Sequence, residues 1–336
     1  MLPFVVVVTA LVAVLALAAI GTVWRGYRAA RLAANGVRAQ FAGDEGVALR
    51  LDDWPAESLA ALAPGSILSA RVTTALGDSV RVHLTRTHPL VAWITADVVL
   101  NALGTPGIVR RQVTRVVSLE PPALPVIGAL TAVAAVRAHD PTAIDGRDLP
   151  DSTDACGASR DTVSRVPIAA TALIDLPAGT WRTPPVSQRL TDPTAVRAAF
   201  DHAWIAIVAR SVIRRMDSVP QLLTPLPGWH SLLLDGPRVA FRAPSRWRGL
   251  LAVNGDLVVT GRLDVDGLLL VRGRLDARGA TLRVRGALVV APPGNDDVEL
   301  GGQTSVRYDR CAVHMALAPI AVPRAIPFSL WQTPLN

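Results

Sequence analysis

Residues 249–291 read GLLAVNGDLVVTGRLDVDGLLLVRGRLDARGATLRVRGALVVA and contain three similar segments. The segments begin at Gly249, Gly267 and Gly286, so they recur at spacings of 18 and 19 residues. Each one joins a short run of Leu and Val to a glycine-containing corner, as stacked rungs of a parallel β-helix require. A meander of hairpins is the alternative, but the segments repeat in one direction and lack two-residue hairpin turns. The sequence therefore predicts a short parallel β-helix-like unit within residues 219–336.

Short strands are also expected nearer the N-terminus, within residues 47–120. Ser66–Thr74 and Ser79–Thr87 flank Ala75-Leu76-Gly77-Asp78, which has the composition of a hairpin turn. In the second of these segments apolar residues alternate with polar ones, which is the period-2 pattern of a half-buried strand. The further strand candidates are Leu90–Leu100 and Ile108–Leu119. This region is predicted to be a small antiparallel sheet.

Between the two β-rich regions the sequence predicts an irregular stretch followed by one helix. Residues 121–190 are rich in Pro, Asp and Ser and have little periodicity, which is typical of a connecting region. Thr191-Asp192-Pro193 is a helix-start signal, and Ala195–Met216 carries apolar side chains at helical spacing. We therefore expect an amphipathic helix within residues 191–218, with a role in packing.

The N-terminus contains an apolar run that is long enough to cross a membrane. Leu2–Val23 carries no charged residue, and as a helix it would extend roughly 33 Å. Trp24 follows at the expected level of the lipid head groups, where indole rings are favoured. The run is longer than the apolar part of a signal peptide, and no basic residue precedes it. We predict a single transmembrane span.

The chain just after the span is predicted to be a basic extension of the same helix. Arg25, Arg28 and Arg31 recur every three residues, so they share a helix face that would contact membrane lipid together with Trp24. We expect this element to occupy residues 1–46 and to end at Gly43-Asp44-Glu45-Gly46. The predicted fold class is α+β, with a long N-terminal transmembrane helix, a small antiparallel sheet and a short parallel β-helix-like C-terminal unit.

Charge and cysteine content limit the possible partners and the compartment. All 34 basic residues are arginines, and they are spread along the chain rather than gathered in a cluster with interleaved aromatic residues, so nucleic acid is not an expected partner. The two cysteines, Cys156 and Cys311, permit one disulfide, which would persist only in an oxidising compartment. Two unrelated buried thiols are the alternative. We expect the disulfide, because the body of the protein is expected to lie outside the cytoplasm.

Several short motifs occur in an order that is typical of one family. Ala42-Gly43-Asp44-Glu45-Gly46 follows an Ala- and Arg-rich stretch, Ile144-Asp145-Gly146-Arg147-Asp148 precedes Cys156, VNGDLVVTGRLDVDGLLLVRGRL spans Val253–Leu275, and Tyr308-Asp309-Arg310-Cys311 comes late. In this order the chain resembles bacterial type IV pilus assembly proteins of the minor-pilin-like kind. The resemblance implies a membrane-anchored structural or accessory component of a pilus or related secretion apparatus. Its helix would pack against pilin-like or secretion-apparatus subunits.

The orientation of the body follows from the resemblance and not from the charges beside the span. Four arginines follow the span and none precedes it, which by the positive-inside rule would place the body in the cytoplasm. Prepilins carry a basic leader and an early Glu, whereas this chain begins Met1-Leu2-Pro3-Phe4 and has no Glu before Glu45. We expect a basic leader upstream of Met1, and hence a body outside the cytoplasm, held by the bacterial inner membrane.

No catalytic or cofactor motif stands out in the sequence. None of the six histidines has metal-ligand spacing, and the adjacent pair His139-Asp140 would point apart on a strand. Asp264-Val265-Asp266-Gly267 resembles part of a calcium loop but lacks its other ligands, so we expect solvated corner residues there. The chain is therefore predicted to be non-enzymatic and without a cofactor. The alternatives are an envelope β-helix scaffold unrelated to pili, or a glycan-active β-helix enzyme. Such an enzyme would use a charged face made of Asp256, Asp264, Asp266 and Asp276 with Arg262, Arg272 and Arg274.

Overall fold

The computed structural model describes most of the chain in three blocks of structure. The described residues are 2–101, 108–140, 142–148, 165–174, 176–177, 181–183, 187–217, 228–294 and 296–326. They form a long N-terminal helix, an antiparallel sheet that packs on the second half of that helix, and a larger parallel sheet. The α+β class, the long apolar helix and the antiparallel sheet of the sequence analysis are therefore confirmed.

The helix and the antiparallel sheet form the N-terminal part. Its elements are α1 (Leu2–Asp52), α2 (Ala56–Ala61), β1 (Ile67–Thr73), β2 (Ser79–His88), β3 (Val91–Asn101) and β4 (Ile108–Glu120). Each strand pairs antiparallel with the next, in the order of the sequence. The turn between β1 and β2 lies where it was predicted: Gly77 takes a φ of 78° and its N–H donates to the Thr74 carbonyl at 2.9 Å. A positive φ is the reason that a glycine is required there.

The strands of the parallel sheet come from segments that precede and follow one helix in the sequence. Its elements are β5 (Gly128–Ala138), β6 (Ala143–Asp145), β7 (Val166–Ile174), β8 (Trp181–Thr183), β9 (Gln188–Arg189), α3 (Pro193–Val208), β10 (Arg214–Met216), β11 (His230–Phe241), β12 (Ser245–Val259), β13 (Arg262–Val271), β14 (Leu275–Ala277), β15 (Thr281–Val290), β16 (Val298–Leu300), β17 (Ser305–Tyr308) and α4 (Arg310–Leu317). Every strand pairing in this sheet is parallel.

The register of the parallel strands follows the glycine repeat. Gly249 lies opposite Gly267, and Gly267 lies opposite Gly286, so each strand pairs with the next repeat along the chain. These three glycines have φ values of 122°, 138° and 133°, which L side chains rarely adopt. A Cβ on each would lie 1.8–2.3 Å from the carbonyl oxygen of the residue opposite it, on the preceding strand. Glycine is therefore required both by the backbone conformation and by the close approach of the neighbouring strand.

Aliphatic side chains stack in columns beside these glycines. One column runs across six paired strands, and all its members are 0% exposed: Leu232, Leu251, Leu269, Leu288, Leu130 and Ile168. Burial of apolar surface, at about 25 cal/mol per Å², is the main term that stabilises such a stack. The repeat in the sequence is thus the stacking period of the core.

The structure differs from the sequence prediction over residues 121–190 and at the end of α3. The first interval was expected to be irregular, but it contains β5 to β9, and β5 pairs with β15 and β16 from the far end of the chain. The predicted helix was expected to reach Met216, but α3 ends at Val208, and Arg214–Met216 pairs instead with β11. In both places the pairing of a strand with a separate segment of the chain determines the structure more strongly than the local sequence pattern does, which is common for β-structure.

The C-terminal chain ties the two sheets together. Helix α4 packs on β12, β13 and β15, and a 3₁₀ turn at Ala318–Ile320 leads to β18 (Val322–Ala325). This last strand pairs antiparallel with β4 and completes the order β1-β2-β3-β4-β18. Ala318 and Ala321 are buried in the apolar core between α1 and the antiparallel sheet. The N-terminal part is therefore held to the parallel sheet by a strand as well as by packing.

Candidate functional site: the projecting helix and its base

The first part of α1 projects away from the rest of the described chain. From Val6 to Ala34 most of its residues are exposed and none is buried, whereas burial begins at Gly36. The helix is long and apolar enough to span a membrane, and its most apolar window is 0% buried within the protein. A large exposed apolar surface on a rigid element marks a site of interaction with lipid or protein. The predicted span is therefore the first candidate site.

Two aromatic rings and two arginines form pairs one helical turn apart, where the apolar run ends. The Arg28 guanidinium carbon lies 4.8 Å from the centre of the Trp24 ring, and that of Arg31 lies 4.6 Å from the Tyr27 ring. Cation–π pairs of this kind keep the charge beside the ring while both side chains stay accessible to head groups. Arg25 lies in the same turns and is exposed. A role at the membrane interface stays a prediction for Trp24, Arg25, Arg28 and Arg31. We predict the same role for Tyr27, because its ring pairs with Arg31.

The second part of α1 lies on the antiparallel sheet, and two glycines let it come close. A Cβ on Gly43 would lie 2.5 Å from a Val113 methyl group, and one on Gly46 would lie 2.9 Å from a Val80 methyl group. The expectation that Gly43-Asp44-Glu45-Gly46 ends the helix is wrong, because α1 continues through it to Asp52. Sheet packing compensates for the low helix propensity of glycine there. The motif is the contact point between helix and sheet.

Charged side chains around this contact fix the direction in which the helix projects. The Arg38 guanidinium donates to both oxygens of Asp78, at 2.7 and 3.1 Å, and Arg115 donates to Asp44 at 2.6 Å. The Glu45 carboxylate accepts from the backbone N–H of Ala75 at 2.6 Å. A two-point Arg–carboxylate contact restricts orientation more strongly than a single contact does. The base of the helix is thus held at three points on the β1–β2 turn and β4.

Replacing Gly43 by valine is expected to loosen the helix from the sheet. The new side chain overlaps Val113, and overpacking of this kind destabilises by about 1–3 kcal/mol. We expect a lower midpoint of thermal unfolding in detergent. Gly26→Val is the matched control, because a Cβ there meets no atom within 4 Å. Equal midpoints for the two variants would contradict the assignment of Gly43 as a contact point.

A second cluster of titratable groups lies where the antiparallel sheet meets α4. Arg86 is 0% exposed and donates to the carbonyls of Leu59, Leu62 and Pro89 at 2.9–3.0 Å, and burial lowers its pKa to about 10. The His88 and His314 rings meet edge to face, with centroids 6.1 Å apart. Such perturbed groups can mark a functional site, but here Arg86 holds β2 to α2 and to the β2–β3 turn, and His88 contacts α4, so the contacts are those of a structural junction.

Acid is expected to weaken this junction through His314. Burial first, then the nearby charges of His88 and Arg310, lower the pKa of His314 from 6.5 to about 4, against the opposing effect of Asp148. A histidine whose pKa is lowered by folding stabilises the folded state above pH 6.5, and this contribution is lost as the pH falls toward 4. We expect the unfolding midpoint to fall between pH 7 and pH 5. His314→Gln should show a smaller fall, and an equal fall would contradict the assignment.

Of the two cysteines in the predicted disulfide, one lies among the described residues. Cys311 is buried at the start of α4, whereas Cys156 lies outside the described residues. The bond stays a prediction. We expect Cys156→Ser and Cys311→Ser each to abolish a difference in electrophoretic mobility between oxidised and reduced parent protein. A parent protein with identical mobility in both states would contradict it.

The charged residues considered for a glycan-active site are divided among several pairs. Asp264 contacts Arg262 at 2.7 Å, Asp266 contacts Arg285 at 2.7 Å, and Asp276 contacts Arg278 at 2.8 Å. Two further arginines of the set contact other acids: Arg272 with Asp201 at 3.6 Å and Arg274 with Glu299 at 3.9 Å. Asp256 accepts from the backbone N–H of Arg274. The structure therefore spreads the set over β12, β13, β14 and the corner between β13 and β14, without gathering it at one point.

Of two further predictions about charged residues, the structure contradicts one and agrees with the other. Asp264 and Asp266 were expected at a corner, but both lie inside β13 and alternate with buried residues. His139 and Asp140 do point apart, because His139 contacts Glu299 while Asp140 accepts from the N–H of Gly302 at 3.0 Å. In the described part of the chain, no group of three or more His, Cys, Asp or Glu side chains is arranged to hold a metal ion.

Comparisons with known proteins do not assign the chain. No family model, no curated protein and no solved structure matches it. The function is therefore argued from the projecting helix and its base.

Proposed function

We propose that this protein is a non-enzymatic, membrane-anchored structural component of a type IV pilus or a related secretion apparatus. The observation that supports this function best is the form of α1: one unbroken helix whose apolar first part is exposed and whose second part is packed on a sheet. A rigid helix with two environments transmits the position of the membrane span directly to the β-rich body. That is the arrangement that an assembling subunit needs, because neighbours must meet in a fixed orientation.

The partners of the span are lipid and other apolar helices. The exposed surface of Val6–Val23 carries no charge, so inside a bilayer it can pack against lipid or against another span. The resemblance to minor-pilin-like proteins favours helix–helix packing with pilin-like subunits. Gly43 and Gly46 let the sheet contact the helix closely, so the orientation of the body is fixed relative to the span.

The parallel sheet is proposed to be a short β-helix that acts as a displayed scaffold. The support is the in-register pairing of successive repeats and the column of buried Leu and Ile that crosses six strands. The carboxylates of Asp264, Asp266 and Asp276 are each held by an arginine, which suits a structural surface. An envelope β-helix scaffold unrelated to pili uses the same features, and a partner experiment separates the two.

A photo-reactive amino acid in the span would test the partner. With the probe at Leu17, which is 69% exposed, we expect crosslinks to small membrane proteins with one apolar helix. A probe at Leu76, 70% exposed on the β1–β2 turn, is the matched control and should not capture them. If Leu17 captures lipid alone, assembly through the helix is wrong.

A reporter enzyme that is active only outside the cytoplasm would test the orientation. Fused after Asn336, it should be active if the body lies outside the inner membrane. A stable but inactive fusion would place the body in the cytoplasm and would contradict both the pilus proposal and the expected disulfide.

A further inference from the structure

The antiparallel sheet has a second face, opposite the one that α1 covers. Alternate residues of β1 to β4 point to this face, and the strand register arranges them in rows that cross the sheet. We call it the outer face. Its members are Ile67, Ser69, Arg71, Thr73, Ser79, Arg81, His83, Thr85, Trp93, Thr95, Asp97, Val99, Ile108, Arg110, Gln112, Thr114 and Val116. None of these residues is buried.

A hydrogen-bonded series of polar side chains runs across the middle of the outer face. Ser69 Oγ lies 2.7 Å from His83 Nδ1, His83 Nε2 lies 3.2 Å from Asp97, and the Gln112 amide donates to Asp97 at 3.0 Å. The order Ser–His–Asp is also that of a hydrolytic triad, but the series lies flat on an open strand surface from which water is not excluded. The series holds several donors and acceptors in a fixed array, and some of their hydrogen-bonding capacity remains available toward solvent.

One row away lies an exposed indole. Trp93 is 47% exposed and stands beside Thr85 and Val116 in a single row across the sheet. Rows of alternate residues lie about 7 Å apart, so the ring borders the polar series directly. A large aromatic surface with polar groups at its edge is a common anchor for a ligand that is partly apolar and partly polar.

The outer face also carries unbalanced positive charge. Arg71, Arg81 and Arg110 are exposed, and none forms an ion pair with a residue in the described ranges. The acid in these rows, Asp97, is already engaged by His83 and Gln112. Three open guanidinium groups favour a ligand with carboxylate, sulfate or phosphate groups.

We propose that the outer face binds an acidic polysaccharide. A sugar ring offers a flat C–H face for Trp93, hydroxyl groups for the Ser69–His83–Asp97–Gln112 series, and acidic substituents for the arginines. Single-stranded nucleic acid fits less well, because it is held by successive bases stacked on several aromatic rings, and this face presents one. A protein partner would need one large apolar centre, whereas the apolar residues here are divided: the Trp93 row lies on one side of the polar series, and Val99 and Ile108 lie on the other. The inference does not depend on the pilus proposal.

Binding of a fluorescent polyuronate by the full chain in detergent micelles would test the proposal. Alginate oligosaccharide is the probe, neutral dextran is the comparison, and oligo-dT of similar charge is the third ligand. We expect binding to alginate that weakens as salt is added, and no binding to dextran. Trp93→Ala and the double variant Arg71→Ser/Arg81→Ser should each weaken it by about tenfold.

Arg242→Ser/Arg246→Ser is the matched control, because both arginines are exposed, one in the loop between β11 and β12 and the other in β12, and the charge change is the same. This control should bind alginate like the parent. The proposal is overturned if the parent does not bind alginate, if the control loses as much affinity as Arg71→Ser/Arg81→Ser, or if oligo-dT binds more tightly than alginate. Unchanged unfolding midpoints of all variants would show that the losses are local.

Discussion

Gly267→Ala is expected to destabilise the protein by roughly 3 kcal/mol or more and to lower its unfolding midpoint by roughly 10 °C. The added Cβ would lie 2.3 Å from the Gly249 carbonyl oxygen and 3.1 Å from the Ala316 Cβ, at a φ of 138°. The backbone conformation and the clash with the neighbouring strand therefore act together. Because Gly267 lies between Gly249 and Gly286 in one column, relaxation at one strand shifts the next. Thermal unfolding in detergent, followed by circular dichroism, measures the effect.

Gly294→Ala is the matched control for that variant. A Cβ at Gly294 would come no closer than 3.6 Å to an atom of Asp296, which is ordinary contact. Its midpoint should stay within about 2 °C of the parent. If Gly267→Ala is as stable as Gly294→Ala, the glycine column does not set the stacking of the parallel strands.

Leu15→Arg combined with Leu17→Arg is expected to release the protein from the membrane. Each arginine near the middle of a transmembrane helix costs about 2.5–3.5 kcal/mol, so two cost about 5–7 kcal/mol. Both residues are more than 60% exposed on α1, so the change should not disturb the packed core. We expect the variant to remain soluble or to be degraded in cells, and to fail to float with liposomes.

Leu76→Arg combined with Ile205→Arg separates this effect from added charge alone. These residues are 70% and 66% exposed on the β1–β2 turn and α3. This control should float with liposomes like the parent. A Leu15→Arg/Leu17→Arg variant that floats equally well would show that α1 is not the anchor.

The parts of the fold that were predictable share one property: the signal is local or strictly periodic. The uncharged run of Leu2–Val23 predicts a helix from composition alone, and the β1–β2 turn follows from one glycine between two alternating segments. The glycine spacing of 249–291 predicts the strand register, because a repeat brings equivalent residues opposite each other. These features need no knowledge of the distant chain.

The parts that were missed depend on distant partners. The strand β5 is rich in alanine and other small residues, which do not predict a strand by themselves. It forms a strand because it pairs with β15 and β16, next to the last of the glycine repeats. Likewise Gly43 and Gly46 resemble a helix end until Val113 and Val80 are placed beside them. A signal was present in the second case, since two glycines three residues apart in a helix also predict a close contact.

The candidate binding face illustrates the same limit more sharply. Ser69, His83 and Asp97 are 14 residues apart in the chain at each step, and no motif joins them. They meet because β1, β2 and β3 pair with one particular register. A shift of one residue in that register would turn these side chains toward α1. Period-2 alternation could have shown which residues share a face, but not which of them are neighbours.

Alkaline carbonate extraction of membranes that contain the full chain would show whether α1 is an integral membrane anchor. High pH strips proteins that are held by charge or by other proteins, but it leaves a spanning helix in the bilayer. The apolar, unburied window of α1 predicts that the protein stays in the membrane pellet. Recovery of the intact protein in the carbonate supernatant would show that α1 does not hold it in the bilayer.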